Sequence, residues 1–222
     1  MQKKMRFFLC KVIAITVLAV PHAVWGQAAP TTAKGFVDRG IEYAGKGDFD
    51  RAFADFKKAI ELDPNSDYAY FNRGVLYYDF IGDLDRAIAD FTQAIRIKPN
   101  DADAYNNRGD AYSRKGDSDR AIADYTQVIR LAPNNLPAYG KRGEEYMEKD
   151  DYDRAIADLT QAIRIDPNFA FVYFRRGLAY VYKGDLDRAI ADWETVLRLD
   201  PNGAEAAQAK ANIERAKQQR GR

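Results

Sequence analysis

The sequence predicts an all-α fold, a solenoid of five helix-turn-helix units closed by a C-terminal capping helix. Two observations predict it. A Gly-Asp-x-Asp-Arg-Ala segment starts at Gly47, Gly82, Gly116 and Gly184, and again at residue 150, where Asp150 replaces the Gly. Prolines mark the same beat at Pro64, Pro99, Pro133, Pro167 and Pro201, with intervals of 35, 34, 34 and 34 residues. A fixed period in this range is the mark of stacked units that bury their apolar faces on one another. The longer interval comes from one extra residue near Phe80–Ile81. Stacked units build long surfaces, so the period also predicts a binding function.

Residues 1–26 stand apart from the repeats. Lys3, Lys4 and Arg6 make a positive start, an apolar run follows from Val12 to Val20, and small residues cluster at Gly26, Ala28 and Ala29. This is the three-part layout of a secretory signal peptide. Cleavage is expected near Gly26–Ala28, which places the mature chain in the periplasm or outside the cell. An uncleaved membrane anchor is the alternative, although the uninterrupted run is about half of the ~20 apolar residues that a spanning helix needs. Cys10 precedes the apolar run, whereas a lipid-attachment cysteine would follow it. Residues 27–32 read as a short linker.

Removing the leader takes away Lys3, Lys4, Arg6 and Lys11 and moves the formal net charge from +1 to −3. It also removes the only cysteine, Cys10, and the only histidine, His22. Slight acidity argues against nucleic acid as a partner, because phosphate binding needs a positive surplus. No stable membrane insertion is expected once the leader is gone.

The units span 33–66, 67–101, 102–135, 136–169 and 170–203. Within a unit, position 4 is aromatic (Phe36, Tyr70, Tyr105, Tyr139, Tyr173), position 8 is Gly and position 11 is Tyr. The spacings of 4 and 3 put these on one face of a first helix. Glycine inside a helix costs about 1 kcal/mol against Ala. Its return as Gly40, Gly74, Gly109, Gly143 and Gly177 implies a close helix crossing. A Gly-Asp turn follows. A second helix then opens with acids such as Asp48 and Asp50, which suit the positive end of its dipole. Its apolar face carries Ala52, Phe56, Ala59 and Ile60 in the first unit, and Ala189, Trp193, Val196 and Leu197 in the last. Proline ends the helix, and the Asn after it (Asn65, Asn100, Asn134, Asn168, Asn202) is the expected N-cap of the next.

On these residues the chain resembles the tetratricopeptide repeat family, whose signature has an aromatic, Gly, Tyr, Ala, an aromatic, Ala and Pro at these spacings. The resemblance covers residues 33–203 and implies a right-handed α-solenoid. One departure recurs: position 7, usually Leu in the family, is Arg39, Arg73, Arg108, Arg142 and Arg176. Two more ionic residues recur with it, Arg at position 19 (Arg51 to Arg188) and Asp at position 23 (Asp55, Asp90, Asp124, Asp158, Asp192). Each Asp thus has two expected cationic partners. After Pro201 the chain is rich in Ala, Gln and Lys, and residues 204–222 are expected to form a polar capping helix with a basic tail.

Catalysis is not expected. Without His or Cys, the mature chain has no Ser–His or Cys–His nucleophile and no His/Cys zinc site. No phosphate-binding Gly-rich loop occurs, and the Asp-x-Asp pairs lack the Gly and closing Glu of a calcium loop. No cofactor or metal is implied. The Asp110/Glu144 neighbourhood is the sole carboxylate pair on which a catalytic reading could rest.

The resemblance implies that function resides in a groove lined by first helices. Some relatives bind C-terminal carboxylates there through a Lys/Asn clamp, which this sequence does not reproduce. Its groove is segmented instead. Val37, Ile41, Tyr68, Phe71, Val75 and Tyr78 make an apolar wall in units 1 and 2. Asp103, Asn106, Asn107, Asp110, Lys141, Glu144 and Glu148 make a polar, mainly acidic middle. Phe171, Phe174, Arg175 and Leu178, with Val181 and Tyr182, make a second apolar wall in unit 5. The reading is a protein–protein interaction scaffold of the cell envelope, binding an extended peptide or helix through apolar anchors around a basic centre. The alternative is a homo-oligomerising envelope protein. Export is tested by intact mass: the exported chain should begin near residues 27–29, and a mature protein that retains Cys10 would refute cleavage.

Overall fold

The computed structural model describes residues 30–220. The leader, its cleavage site and residues 221–222 lie outside the described residues. Within them the chain forms helices α1 (Ala33–Gly45), α2 (Phe49–Leu62), α3 (Asp67–Leu76), α4 (Leu84–Ile97), α5 (Ala102–Lys115) and α6 (Ser118–Leu131), then α7 (Leu136–Glu148), α8 (Tyr152–Ile165), α9 (Ala170–Tyr182), α10 (Leu186–Leu199) and α11 (Ala206–Arg220). Odd-numbered helices up to α9 are the first helices of the five units, and even-numbered ones are the second helices. No strand occurs among the described residues, and none of their helices is long and apolar enough to cross a membrane.

Local chemistry sets the boundaries. Asp48, Asp83, Asp117, Asp151 and Asp185 cap the second helices, each accepting from the backbone N–H three residues on, at 3.0–3.2 Å. The turn before each cap needs a left-handed residue. Gly47, Gly82, Gly116 and Gly184 take φ of 75–79°, and Asp150 takes φ 58° in the fourth unit. Asp is one of the few side chains that tolerate this region.

Helices α3, α5 and α7 are capped one residue later than the sequence predicts, by Ser66, Asp101 and Asn135 rather than the Asn after each Pro. Thr32 caps α1, and α9 starts after Phe169 with no side-chain cap. The Pro-Asn pair lies in the connecting turn, where the backbone N–H groups of Asn65 and Asn168 donate to the carboxylates of Asp63 and Asp166.

The extra residue of unit 2 is absorbed without opening the helix. α3 runs on into a π-helical turn over Tyr77–Ile81, the form that a one-residue insertion takes inside an α-helix. Phe80 is pushed to the surface and stacks on Phe49, with ring centroids 3.6 Å apart.

The core is a series of small clusters along the stack. The second helices contribute Ala52, Ala87, Ala121, Ala155 and Ala189, all fully buried. Beside them, position 24 carries Phe56, Phe91, Tyr125, Leu159 and Trp193, also buried. These side chains explain the helical glycines. A Cβ at Gly40, Gly74, Gly109 or Gly177 would lie 2.6–2.8 Å from the aromatic ring of its own unit, and at Gly143 it would lie 3.2 Å from Leu159. A ring fills the space that four of these glycines leave, and at Gly143 Leu159 and the Ala155 backbone carbonyl lie there instead. The stack closes on α11, where Ala206, Ala209, Ile213 and Ala216 share one face and are buried. Ala209, Ile213 and Ala216 pack with Tyr180, Ile190, Trp193 and Val196.

Gly109→Leu should therefore destabilise the chain by more than about 2 kcal/mol, because overpacking displaces the Tyr125 ring. Gly177→Ala should cost more than Gly143→Ala, since a Trp ring cannot yield as a Leu can. Denaturant melts measure both, and equal costs would show that the ring does not set the spacing.

Candidate functional site

The site rests on a repeated ionic frame. Arg39, Arg73, Arg108, Arg142 and Arg176 reach from the first helices to Asp55, Asp90, Asp124, Asp158 and Asp192 on the second. Each pair is bidentate, Nε to Oδ2 and Nη2 to Oδ1, at 2.7–2.9 Å. The carboxylates are buried, 4–6% exposed. Hydrogen bonding to Asp90 holds the Arg73 guanidinium above its ordinary range. At Arg108 burial opposes the charge, but Asp124 more than offsets it. The third arm of Arg108, Arg142 and Arg176 reaches the unit before, donating from Nη1 to the hydroxyls of Thr92, Thr126 and Thr160 at 2.9–3.1 Å.

The second expected partner of these Asp residues is engaged elsewhere. Arg51, Arg86, Arg120, Arg154 and Arg188 pair with the capping Asp three residues earlier. They lie over the rings of Tyr43, Tyr77, Tyr112, Tyr146 and Tyr180. The cap sits at the same helix end as the Arg, so it is reached with less chain bending.

The first-helix face carries the candidate binding residues. Ile41, Tyr68 and Tyr182 are exposed, 38%, 59% and 64%. Val37 is not available: it is buried against Ala59 and Ala69. Phe71 is half-buried and tilts onto Phe91, with ring centroids 5.8 Å apart. Val75 and Tyr78 pack beside the Tyr77–Phe91 cluster. In unit 5, Phe174, Leu178 and Val181 pack on the C-terminal cluster, and Phe171 lies under the Arg175 guanidinium.

The middle is polar but not the open acidic patch that the sequence suggests. Asp110 accepts from Lys141 Nζ at 2.8 Å and from the Tyr125 hydroxyl at 2.7 Å. Lys141 also donates to Asn106 Oδ1 at 3.0 Å. Burial first, then the Asp110 charge, pushes the Tyr125 phenol well above its usual range. Glu144 faces Arg175, whose Nε lies 2.9 Å from its Oε1. Burial pushes the Glu144 carboxyl up, and Arg175 pulls it part of the way back. Asn107 donates to the Asp103 backbone carbonyl. Asp103 and Glu148 remain exposed. One polar member was missed: Glu145, buried and hydrogen-bonded to Ser113 of the preceding unit. Its signal was present, since the same place in units 3 and 5 holds the small, buried Ala111 and Ala179.

With this geometry the class of protein is defined. Family models described as TPR repeat match residues 40–79, 81–116 and 143–181, and models described as tetratricopeptide repeat match 102–135 and 170–202. The chain belongs to the tetratricopeptide repeat family. Among solved structures it is similar to a MamA protein at 30% identity, with TM-score 0.73, over 78% of this chain and 94% of that one. A second MamA structure is 31% identical, with TM-score 0.71, over 75% and 96%. At 21% identity the fold alone is shared with YrrB, described as a TPR protein with an unusual peptide-binding site, with TM-score 0.73 over 81% and 92%. A comparison with curated protein sequences gives no match.

The frame predicts a sharp contrast between two carboxylates. Asp124→Ala should cost about 3–5 kcal/mol, because it leaves a buried guanidinium unpaired. Asp119, whose side chain is 81% exposed beside Lys149, should cost less than about 1 kcal/mol when replaced by Ala, and less again in high salt. Denaturant melts at two salt concentrations measure the difference, and similar costs would overturn the assignment.

Proposed function

We propose that the chain is a protein–protein interaction scaffold that holds an extended protein segment along its first-helix face. The observation that carries this reading is the exposure of Ile41, Tyr68 and Tyr182 at the two ends of that face. Exposed aromatic and aliphatic side chains flanking a polar strip are what a partner's anchors need. The pairing of Asp110 with Lys141 and of Glu144 with Arg175 changes the expected ligand. A strongly basic centre is no longer required, and only Asp103 and Glu148 offer exposed acid there.

The lack of His and Cys in residues 30–220 supports binding rather than catalysis. We place the protein in the cell envelope on the layout of residues 1–26 alone. The homo-oligomeric alternative has no specific observation in its favour.

The test is kinetic. With a partner captured from an envelope extract, Tyr68→Ala and Tyr182→Ala should each raise the dissociation rate roughly 5- to 30-fold, the equivalent of one or two kcal/mol. Asp103→Lys should act mainly on the association rate and its salt dependence. Tyr68 and Asp103 are better probes than Phe71 or Asp110, whose replacement would also disturb the fold, and Tyr182→Ala also removes the stack of Tyr182 on Tyr152. Wild-type binding by all three variants would move the search to the convex face or the ends.

A further inference from the structure

Position 6 of units 4 and 5 carries a cation, Lys141 and Arg175, and each leans on the first helix before it. Lys141 finds two acceptors there, Asp110 Oδ2 at 2.8 Å and Asn106 Oδ1 at 3.0 Å. These are positions 9 and 5 of unit 3. Arg175 meets the equivalent of the first, Glu144 at position 9 of unit 4. The equivalent of the second is Gly140, which has no side chain. The consequence is visible at Arg175. Its Nε, buried 2.9 Å from Glu144 Oε1, makes no aligned hydrogen bond, and the rest of the side chain, which is 29% exposed overall, has no second acceptor. No other buried side-chain nitrogen or oxygen among the described residues is left in this state.

Gly140 has no packing reason to be glycine. It lies inside α7, where Gly is unfavourable. A Cβ built on it meets nothing within 4 Å, whereas one at Gly109 would strike the Tyr125 ring. Position 5 is Val37, Phe71, Asn106 and Phe174 in the other units. Space the size of a side chain is therefore open on the first-helix face, beside a guanidinium that is one acceptor short.

We propose that this slot receives a carboxamide, the side chain of an Asn or Gln in the bound segment. The carboxamide oxygen takes the place that Asn106 Oδ1 holds one unit earlier and accepts from the Arg175 guanidinium. The inference rests on the groove reading above and names its chemistry. A carboxylate fits the slot less well. Glu144 already balances Arg175, and Glu148 adds exposed acid nearby, so a second anion would meet like charge. A neutral amide supplies the acceptor without the charge.

The probe is a set of peptides selected from a displayed random library against the full chain. The inference expects binders that share an Asn or Gln. Gly140→Asn, which fills the slot from within, should weaken them by about tenfold or more, near 1.4 kcal/mol. Gly140→Ala, which adds no acceptor, should leave them within about twofold. Both variants should melt no lower than wild type, because each replaces a helical Gly. Binding should shift the resonances of the Arg175 guanidinium. Binders that weaken on Tyr68→Ala or Tyr182→Ala but ignore Gly140→Asn would overturn the subsite and leave the groove reading standing. A shared acidic residue instead of an amide would also overturn it. Binders indifferent to every substitution on this face, or a selection that enriches nothing, would overturn both.

Discussion

The buried pair of position-7 Arg and position-23 Asp is the constraint on which the rest of the structure depends. A carboxylate 4–6% exposed cannot remain charged without a partner, and the guanidinium fork satisfies both of its oxygens at once. That geometry tolerates neither a slip of one helix along the other nor a rotation of the first helix. Once the pair is made, the glycine at position 8 meets the ring at position 24, and the aromatic rings at positions 4 and 11 flank the same Arg. In units 3 to 5 the Nη1 bond to a Thr of the preceding unit then carries the register across the junction. One side chain thus orders both the helix pair and the stack. A buried ion pair is weak evidence of net stability, but in a chain of near-identical units it gives each unit one way to dock.

A second ladder runs along the turns and shows what the insertion changes. Lys115, Lys149 and Lys183, each just before a turn, pair with Asp85, Asp119 and Asp153 of the unit before. Arg220 of α11 does the same for Asp187, so the cap copies the contact that a sixth unit would make. Before Gly82 the residue is Ile81, and the π-helical turn sets Phe80 on Phe49 instead. An exposed ion pair is exchanged for an aromatic stack at the junction of units 1 and 2. Exposed pairs contribute little, so the exchange does not weaken the stack, but it leaves Phe80 and Ile81 in solvent.

How much was legible follows from the range of each interaction. Helix order, turn glycines and the acids that open the second helices depend on neighbours within four residues, and the period displays them. The role of position 8 was legible as a steric need, although not as a ring against a glycine. The partner of the position-23 Asp was narrowed to two, because sequence spacing cannot tell which cation lies nearer its own helix cap. The state of the candidate binding face was the least legible. Val37 and Ile41 are both apolar and four residues apart, yet one is core and the other surface. The acidic middle was read from single side chains, whereas its charge is set by Lys141 and Arg175 of the following units, 31 residues away in each case.

Those two cations also give the face its asymmetry. At the junction of units 3 and 4, the polar groups satisfy one another: Lys141 has Asp110 and Asn106, and Asp110 has the Tyr125 hydroxyl as well. Tyr125 is the only Tyr at position 24, and its hydroxyl crosses from the second-helix layer to reach this network. A closed network of this kind is rigid and has little to offer a ligand. At the junction of units 4 and 5, the same design lacks one side chain, and Arg175 has Glu144 alone. The Arg175 side chain remains 29% exposed there, so an incoming acceptor can reach its guanidinium. The tendency to bind is therefore stronger at Gly140 than at Asn106, although both lie on the same face at the same repeat position.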